Sequence, residues 1–422
     1  MRVSMLTCGT RGDTQPMVVL GAELRRRGHD VVIAASPNTL DLPRACGFEA
    51  LPLGPDSQVL MESDAGQRWL ASGNVRAFTK ELTEISSRHF ETSMRETRAA
   101  CVGADVVIGG ILAEDVAQVY GEAEGAPLVT LHTAPVRSTS AYAHPLVTSR
   151  SRMAPFNALT GSLFDLVWWR ETRDETRRAR EDTGLPQVKT SLAKRHSGPH
   201  DLELQAYDRL LVPKLDWGSR RPLVGFLTMD EELRGALAET GLDPELRTWL
   251  DAGDPPVFFG FGSMPVQDPA QMVAMITEVS QRLGVRALIS AGWGRLQALE
   301  PDNPAVTVVG GVDHSAVLPL CVAAVHHGGA GTLAASLSAG IPTVVCSVFA
   351  DQPFWGARVL DVGVGAHLPF KDLDRAGLEN ALRSVLSSEV RNAAAALGPR
   401  LRSGTDAASE AADRVEQAAA SA

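Results

Sequence analysis

The chain has little excess basic charge and no long apolar run. Its 422 residues include 40 Lys and Arg against 50 Asp and Glu, which gives a formal net charge of −10. Proteins that bind nucleic acid usually present a basic surface, so this balance argues against a nucleic-acid partner. No run of about 18 apolar residues occurs, and no segment is therefore predicted to span a membrane.

A signal-peptide pattern is also missing. The first residues, Met1–Leu6, are strand-like and lack the composition of a secretory leader. We therefore expect a soluble, cytoplasmic protein. The sequence leaves open a transient contact with a membrane surface, and it leaves open whether the chain is a monomer or a homodimer.

Cysteines are few and show no metal-binding or disulfide spacing. The five lie at positions 8, 46, 101, 321 and 346 without any CxxC pair, which is typical of reduced thiols. An Asp-x-Asp triplet, Asp372-Leu373-Asp374, stands directly before a helical pattern and is interpreted as a helix cap. We expect neither a metal requirement nor a bound cofactor.

Apolar, β-branched runs alternate with amphipathic helical stretches along the whole chain. This alternation predicts parallel sheets covered by helices, and a chain of this length exceeds one ordinary core. In the first half the predicted strands are Arg2–Thr7, Asp30–Ala35, Glu49–Leu53, Asp105–Gly109, Pro127–His132 and Arg209–Val212. In the second half they are Val257–Gly260, Arg286–Ser290, Val306–Val309, Ala323–His326, Thr343–Ser347 and a short strand near Ala366–Leu368. Each half is predicted to be a doubly wound, Rossmann-type sheet.

Segments rich in Pro and Gly, which favour turns and loops, indicate the domain boundaries. We predict an amino-terminal domain over 1–215, a linker over 216–225, a carboxyl-terminal domain over 226–386 and a helical tail over 387–422. The first helix is expected from about Gln15 to Arg27, ending at Gly28. The interval 137–202 has the least regular pattern. The tail either crosses back to the first domain or frays.

The stretch Ala323–Pro353 is the most informative part of the chain. Two buried strands flank a turn with two histidines and the small residues Gly328–Thr332, and the second strand is followed by Asp351-Gln352. Small residues at a helix start leave amide groups open to an anion, and the helix dipole favours negative charge there. A carboxylate and an amide beside it suit sugar hydroxyls. Such turns also occur in many α/β proteins without this ligand, but the added pair favours a nucleotide-sugar site.

The turn after the first strand carries a second candidate. Gly9 and Gly12 predict a tight, open turn, and Asp13 follows at the start of a helix. Asp13 is either an N-cap or a general base for an acceptor hydroxyl. The helix dipole is expected to hold its pKa low.

Three motifs together resemble a known family. GTRGD followed by Gln15-Pro16, then HHGGAGT, then FADQPFWG, resemble the family 1 glycosyltransferases of the GT-B fold, closest to sterol glucosyltransferases and bacterial glycopeptide and natural-product glycosyltransferases. The likeness covers nearly the whole chain. It implies an α/β protein of two facing Rossmann-like domains with a cleft between them, the first binding the acceptor and the second the nucleotide sugar.

The resemblance also implies roles for particular residues. Asp13 corresponds to the proposed catalytic base, and the residues expected to bind the donor are Thr10, Arg11, Ser263, Trp293, Val312, His327, Gly329, Ala330, Gly331, Thr332, Asp351 and Gln352. Many relatives carry a catalytic histidine in the first turn, but this chain has none between Met1 and Gly28. Asp13 is then expected to act as the catalytic base. His132 is the alternative base, although a lone histidine at a strand end is more often packed. Glu114 and Asp115 are interpreted either as partners of the base or as helix caps.

The reaction implied is inverting transfer of a hexose to a hydroxyl. The FADQPFWG version resembles users of UDP-glucose, and an apolar acceptor such as a sterol or a polyketide-like natural product of the kind found in antibiotic biosynthesis is expected. His132, Phe78 and Trp168 are candidate acceptor contacts. Alternatives are a dTDP-deoxysugar donor, a non-catalytic accessory protein and a sugar-nucleotide 2-epimerase. A dinucleotide oxidoreductase is disfavoured because the first turn lacks GxGxxG spacing.

Overall fold

The structure divides the chain into two compact units. It is a computed structural model that describes residues 1–63, 75–195, 201–215, 217–239, 241–261, 268–291 and 303–421, with backbone only for 60–62 and 75–87. Unit 1 comprises Met1–Leu237 and Arg402–Ala422, and unit 2 comprises Ala238–Leu401. The chain therefore enters unit 2 once and returns to unit 1 for its last helix.

Unit 1 is built on a parallel six-stranded sheet. Its strands are β1 (Arg2–Leu6), β2 (Asp30–Ala35), β3 (Glu49–Pro52), β4 (Val106–Gly110), β5 (Leu128–His132) and β6 (Leu202–Gln205). The spatial order is β3-β2-β1-β4-β5-β6, and every neighbouring pair is parallel. The order reverses between β1 and β4, which makes their carboxyl ends the place where such sheets bind ligands.

Helices cover the sheet of unit 1. They are α1 (Arg11–Arg26), α2 (Asp41–Ala45), α3 (Ser57–Glu62), α4 (Val75–Cys101), α5 (Glu114–Glu124), α6 (Ala154–Thr183), α7 (Leu192–Arg195) and α8 (Glu231–Ala236). Apolar residues of β1, β2 and β4 are fully buried between the helices, as expected for a sheet that is covered on both faces.

Unit 2 repeats this architecture. Its strands are β7 (Val257–Gly260), β8 (Ala287–Ser290), β9 (Val306–Val309), β10 (Ala323–His326), β11 (Thr343–Val345) and β12 (Gly365–His367), in the order β12-β11-β10-β7-β8-β9. Its helices are α9 (Pro244–Asp251), α10 (Pro269–Leu283), α11 (His314–Val317), α12 (Ala330–Ser338), α13 (Gln352–Asp361), α14 (Arg375–Val385) and α15 (Ser388–Leu397). The order reverses between β7 and β10. The predicted fold class of two Rossmann-type sheets is confirmed.

Two details of the sequence prediction were wrong, and one long helix was not predicted. The sixth strand is β6 rather than Arg209–Val212, which forms a turn region. The charged residue Glu203 interrupts the apolar pattern of β6, so the pattern does not predict a strand. Its partners Arg137 and Arg221 come from other parts of the chain. The first helix begins at Arg11 because Thr10 caps it. The interval 137–202 contains the 30-residue helix α6.

The last helix, α16 (Gly404–Ser421), packs on α1 within unit 1. Arg27 at the end of α1 donates to Asp413 at 2.6 Å and to Glu416 at 2.9 Å, and Nε2 of His29 lies 2.8 Å from Glu416. Alanines of α16 are buried against the apolar face of the first helix. The segment 216–225 lies in unit 1, where Leu223 forms a bridge with Gln205 of β6.

A close backbone approach fixes the return of the chain into unit 1. Gly225 has a φ of +99°, and a Cβ added there would lie 2.4 Å from the carbonyl oxygen of Arg402. The amide of Phe226 donates to that same oxygen at 2.8 Å. Only a residue without a Cβ fits both the backbone conformation and this contact.

We predict that Gly225→Ala lowers the free energy of unfolding of the protein by about 3 kcal/mol, because left-handed strain and overpacking add. Gly218→Ala is the matched control, since Gly218 also has positive φ (+60°) but an added Cβ would meet nothing within 4 Å. It should cost only about 1 kcal/mol. Calorimetric unfolding of the two variants checks this, and equal losses would contradict it.

Candidate active site

The turn after β1 is a capping box at the switch point of unit 1. The amide of Thr10 donates to Oδ2 of Asp13 at 2.8 Å, and the Thr10 hydroxyl accepts from the amide of Gly12 at 3.3 Å. Gly9, with φ of +128°, lies against the Asp13 carboxylate, which an added Cβ would meet at 2.3 Å. Ser36 accepts from the amide of Gly9 at 2.9 Å. The carboxylate is thus held at the start of α1 by its own turn.

Asp13 is half-buried, and burial affects the pKa of its carboxyl group. Burial raises the pKa of Asp13 above its ordinary value of 3.8, although hydrogen bonds from Thr10 act in the opposite direction. The expectation of a low pKa was therefore wrong, because loss of hydration outweighs the bonds and the helix terminus. Arg11 beside it is exposed, and its Nε donates to Gln15 at 3.2 Å.

His132, the alternative base, lies in the interior of unit 1. Its Nε2 is 2.8 Å from a carboxylate oxygen of Glu114, and its Nδ1 is 3.4 Å from the amide nitrogen of Gln205. His132 is only 1% exposed and Glu114 only 2%. This is the geometry of a packed histidine, and Glu114 is its partner rather than a helix cap.

Glu114 is also the centre of a buried charge network. Arg137 binds both of its oxygens at 2.9 Å, and the same guanidinium donates to Glu203 of β6 at 3.2 Å. Arg221 donates to Glu203 at 2.7 Å. Burial opposes the ionisation of Glu114, but the charges of Arg137 and His132 outweigh it and lower the pKa from 4.5 to about 2. The network ties β6 and the segment after β5 to the start of α5.

Aromatic side chains lie beside this network. The rings of His144 and Phe164 stack with centroids 3.9 Å apart, and Trp168 continues the stack at 5.7 Å. The indole nitrogen of Trp168 donates to Asp115 at 3.1 Å. Burial and the neighbouring Glu114 raise the pKa of Asp115 to about 6. Of the predicted acceptor contacts, Trp168 therefore belongs to an aromatic stack, while the side chain of Phe78 lies outside the described residues.

The turn after β10 is stabilised by His326, a residue to which the sequence patterns assigned no role. Nδ1 of His326 accepts from the amide of Gly328 at 3.0 Å, and its Nε2 lies 3.2 Å from the hydroxyl of Ser336 in α12. Thr343 of β11 also donates to Ser336, at 2.9 Å. Because His326 is fully buried, burial first and then the nearby His327 and His314 hold its pKa well below the ordinary range. The repeated histidines in the motif were the available signal.

His327 lies directly over the start of α12. A Cβ added at Gly329 would lie 2.5 Å from Nε2 of His327, and one added at Gly328, with φ of +91°, would lie 2.5 Å from Val345. Burial, with His314 nearby, lowers the pKa of His327 to about 4, so the imidazole is neutral. Gly329 is the N-cap of α12, and no described side chain caps this helix. The amides of Ala330, Gly331 and Thr332, three of the predicted donor contacts, lie in this first turn, where such groups suit an anion.

The Asp-Gln pair follows β11. Oε1 of Gln352 accepts from the amides of Val348 and Phe349 at 2.8 and 3.2 Å, which shapes the loop before α13. Oδ2 of Asp351 accepts from the indole of Trp355 at 2.9 Å. Ala350 between them and the strand has a φ of +55°. The loop therefore has a defined, strained conformation.

The remaining predicted residues are placed only in part. Val312 is half-buried after β9 and packs on an apolar cluster of unit 2. Ser263 and Trp293 lie outside the described residues. Asp374 caps α14 through a bond of 2.7 Å from the amide of Gly377, as the Asp-x-Asp interpretation expected.

We predict that Glu114→Gln lowers the free energy of unfolding near pH 7 by about 3 kcal/mol, because Arg137 loses one of its two charged partners in the interior and keeps only Glu203. The folded-state pKa of Glu114 is depressed, so its ionisation stabilises the fold above pH 4.5 and this stabilisation disappears as the pH falls from 4.5 toward 2. The difference in the free energy of unfolding between Glu114→Gln and the unchanged protein should therefore become smaller as the pH falls from 4.5 toward 2.

The matched control for Glu114 is Glu181→Gln. Glu181 pairs with Arg177 at 2.8 Å, and both side chains are about half exposed (54% and 49%). Its loss should cost less than about 1 kcal/mol at any pH. Thermal unfolding of the variants across the acid range measures both effects, and a Glu114→Gln cost independent of pH would disprove this assignment.

A second prediction concerns the turn of unit 2. Gly329→Ala should displace the His327 imidazole and lower the affinity for a nucleoside diphosphate by about tenfold, the loss of one charge-assisted hydrogen bond. Gly311→Ala is the control, since an added Cβ there meets nothing within 4 Å. Calorimetric titration with UDP and dTDP measures both variants. Unchanged affinity in Gly329→Ala would show that the imidazole does not face the phosphates.

Neither a membrane-spanning helix nor a metal cluster occurs among the described residues. None of the described helices combines the length and apolarity required for crossing a bilayer. Within the same part of the chain, no group of three or more His, Cys, Asp or Glu side chains is arranged to hold a metal ion.

Two doubly wound units, one with an uncapped helix start under an imidazole, are typical of α/β proteins that bind phosphorylated ligands. Residues 287–415 match the C-terminal domain of the erythromycin biosynthesis protein CIII-like family. A Mycobacterium tuberculosis protein described as an uncharacterized glycosyltransferase is 36% identical over 424 residues, covering 99% of both chains. The chain therefore belongs to the family 1 glycosyltransferases, with the GT-B fold.

Two further similarities are informative. Sterol 3-beta-glucosyltransferase UGT80A2 of Arabidopsis thaliana is 34% identical over 417 residues, which are 95% of this chain and 63% of the plant protein. The crystal structure of the glycosyltransferase VinC in complex with DTDP superimposes with a TM-score of 0.66 at 20% identity, covering 100% of both chains. The plant enzyme is similar to this chain in sequence, whereas the similarity to VinC shows the fold alone.

Proposed function

We propose that this glycosyltransferase moves glucose from UDP-glucose to a hydroxyl of an apolar acceptor, with inversion at the anomeric carbon. The observation that carries the proposal is the uncapped start of α12 beneath the neutral imidazole of His327. The FADQPFWG motif and the 34% identity to a plant sterol 3-beta-glucosyltransferase support glucose as the sugar.

Unit 2 provides the charge stabilisation that the leaving group needs. As the bond from the anomeric carbon to the diphosphate breaks, negative charge grows on the diphosphate. The amide groups of Gly331 and Thr332 lie in the first turn of α12 and stabilise this charge without reorganisation. His327 adds a buried ring nitrogen, Nδ1, that has no hydrogen-bond partner among the described residues. Asp351 and the amide group of Gln352 bind the sugar hydroxyls.

Asp13 provides the base. The acceptor oxygen attacks the anomeric carbon, its proton passes to Asp13, and the electron pair of the broken bond leaves with UDP. A carboxylate with a raised pKa is a better proton acceptor than an ordinary Asp. His132 is not used, because both of its ring nitrogens face buried partners.

An apolar acceptor is supported by the aromatic stack of unit 1. His144, Phe164 and Trp168 present stacked rings beside the switch point, and burial lowers the pKa of His144 to about 4, so the stack carries no charge. Flat or polycyclic molecules pack well on such surfaces. Trp168 is one of the acceptor contacts that the sequence predicts.

A dTDP-deoxysugar donor is the second candidate. It is favoured by the similarity in fold to VinC, whose structure contains DTDP, and by the match to the erythromycin-related domain. A non-catalytic accessory protein is the remaining alternative, and it predicts donor binding without transfer.

The test is product formation from UDP- and dTDP-sugars with a pool of sterols, flavonoids, macrolides and glycopeptide aglycones, followed by mass spectrometry. UDP-glucose should give a product heavier by one hexose. Asp13→Asn should retain the capping bond to Thr10 and UDP affinity but lose turnover by about 10³-fold or more. The acid limb of the kcat/KM profile of the unchanged enzyme should lie above pH 3.8, the ordinary pKa of Asp.

Each outcome separates the candidates. Turnover with dTDP-deoxysugars alone would replace the proposed donor, and donor binding without product would favour the accessory protein. Retained turnover in Asp13→Asn would remove Asp13 as the base. Thr10→Val tests the cap separately, because it leaves the Asp13 carboxylate in place, and its turnover should stay well above that of Asp13→Asn.

A further inference from the structure

Helix α6 carries an apolar stripe on its outer face. Five large apolar side chains are exposed within 15 residues of chain: Met153 (74%), Leu159 (64%), Leu163 (51%), Leu166 (62%) and Val167 (43%). Spacings of three and four residues place the leucines on one side of the helix. The stripe is about 20 Å long at 1.5 Å per residue.

The inner face of α6 is formed by small, polar and aromatic residues. Its buried residues are Asn157, Thr160, Gly161, Thr176, Ala179 and Arg180, and the aromatic residues Phe164 and Trp168 are half-buried. A helix of a water-soluble domain normally turns its large apolar residues toward the core. The leucines of α6 are therefore not needed by the core of unit 1, and such a contiguous exposed patch marks an interaction surface.

Arginines flank the stripe at both ends. Arg150 and Arg152 precede Met153, and Arg170 and Arg173 follow Val167, all four of them exposed. The one charged residue within the stripe is Asp165, which is half-buried and lies 4.0 Å from Lys194. From Arg150 to Arg173 four arginines stand against two acidic residues, Asp165 and Glu171, which gives the segment a net charge of +2 (4 − 2) in a chain of net charge −10, and Asp174 follows directly.

We propose that the apolar stripe of α6 docks on an anionic lipid bilayer. The leucines enter the boundary between head groups and acyl chains, and the flanking arginines bind the lipid phosphates. The other side of the same helix carries Phe164 and Trp168 of the aromatic stack. Docking then holds the stack one helix away from the membrane, from which an apolar acceptor is taken up, a step that rests on the proposed function.

The experiment is flotation of the full-length chain with vesicles of phosphatidylcholine alone or mixed with phosphatidylglycerol. Leu159→Ser/Leu163→Ser/Leu166→Ser should lower binding to the mixed vesicles by about tenfold or more at all salt concentrations. Replacing Arg150, Arg152, Arg170 and Arg173 by Gln should lower it at low salt and have little effect at high salt, where the charges are screened.

The control variant is Val102→Ser/Leu360→Ser, since both residues are 55% exposed and lie outside α6. It should bind vesicles like the unchanged protein. Circular dichroism and thermal unfolding confirm that every variant is folded. Equal vesicle binding by the leucine variant and this control, or no binding by the unchanged protein, would overturn the proposal.

Light scattering tests whether the stripe instead binds a second copy of the chain. A dimer of the unchanged protein that the leucine variant converts to a monomer, without vesicle binding, would assign the stripe to self-association and overturn the proposal. Transfer to an acceptor dissolved without vesicles should be unchanged in the leucine variant. If no transfer is found with any acceptor, the proposed function fails while the flotation result still decides the docking.

Discussion

Both units depend on the reversal of strand order at the centre of a parallel sheet. In unit 1 the loops after β1 and β4 leave the same edge in opposite directions, and in unit 2 the loops after β7 and β10 do the same. Backbone amides at that edge are not used by the sheet, and helices begin there with their positive ends outward. The capping box of Thr10 and the turn of His326–Gly329 both lie at such a place.

The starts of α1 and α12 differ in the side chain at the cap, and this difference suits them to different chemical roles. The start of α1 already holds a carboxylate, Asp13, whose Oδ2 accepts from Thr10, so a second anion there would meet a like charge. The start of α12 has no described side-chain cap, and glycine allows the His327 ring to lie against it. In the proposed mechanism the first of these helix starts accepts a proton and the second binds phosphate. The same helix dipole serves both, and the side chain at the cap determines which.

Buried charge shapes unit 1 more than its apolar pattern suggests. Glu203 occupies a central position of β6 although a carboxylate is costly to bury alone. Arg137 and Arg221 come from segments before and after that strand and offset the cost. Glu114, bound by Arg137 and His132, makes the packing of α5 depend on the same network. Partners this distant in sequence explain why the strand was missed and why His132 is packed rather than exposed.

The sequence by itself determined the sheet strands with continuous apolar runs, the two donor motifs, the first turn and the family, because each depends on local composition and spacing. It did not reveal β6 or α6, since β6 is stabilised by distant ion pairs and α6 buries polar residues while exposing leucines. Only the tertiary structure decided that Asp13 has a raised pKa, that Thr10 is the cap and that His326 supports Gly328. Burial and long-range hydrogen bonds set these properties, and neither is encoded in a local pattern.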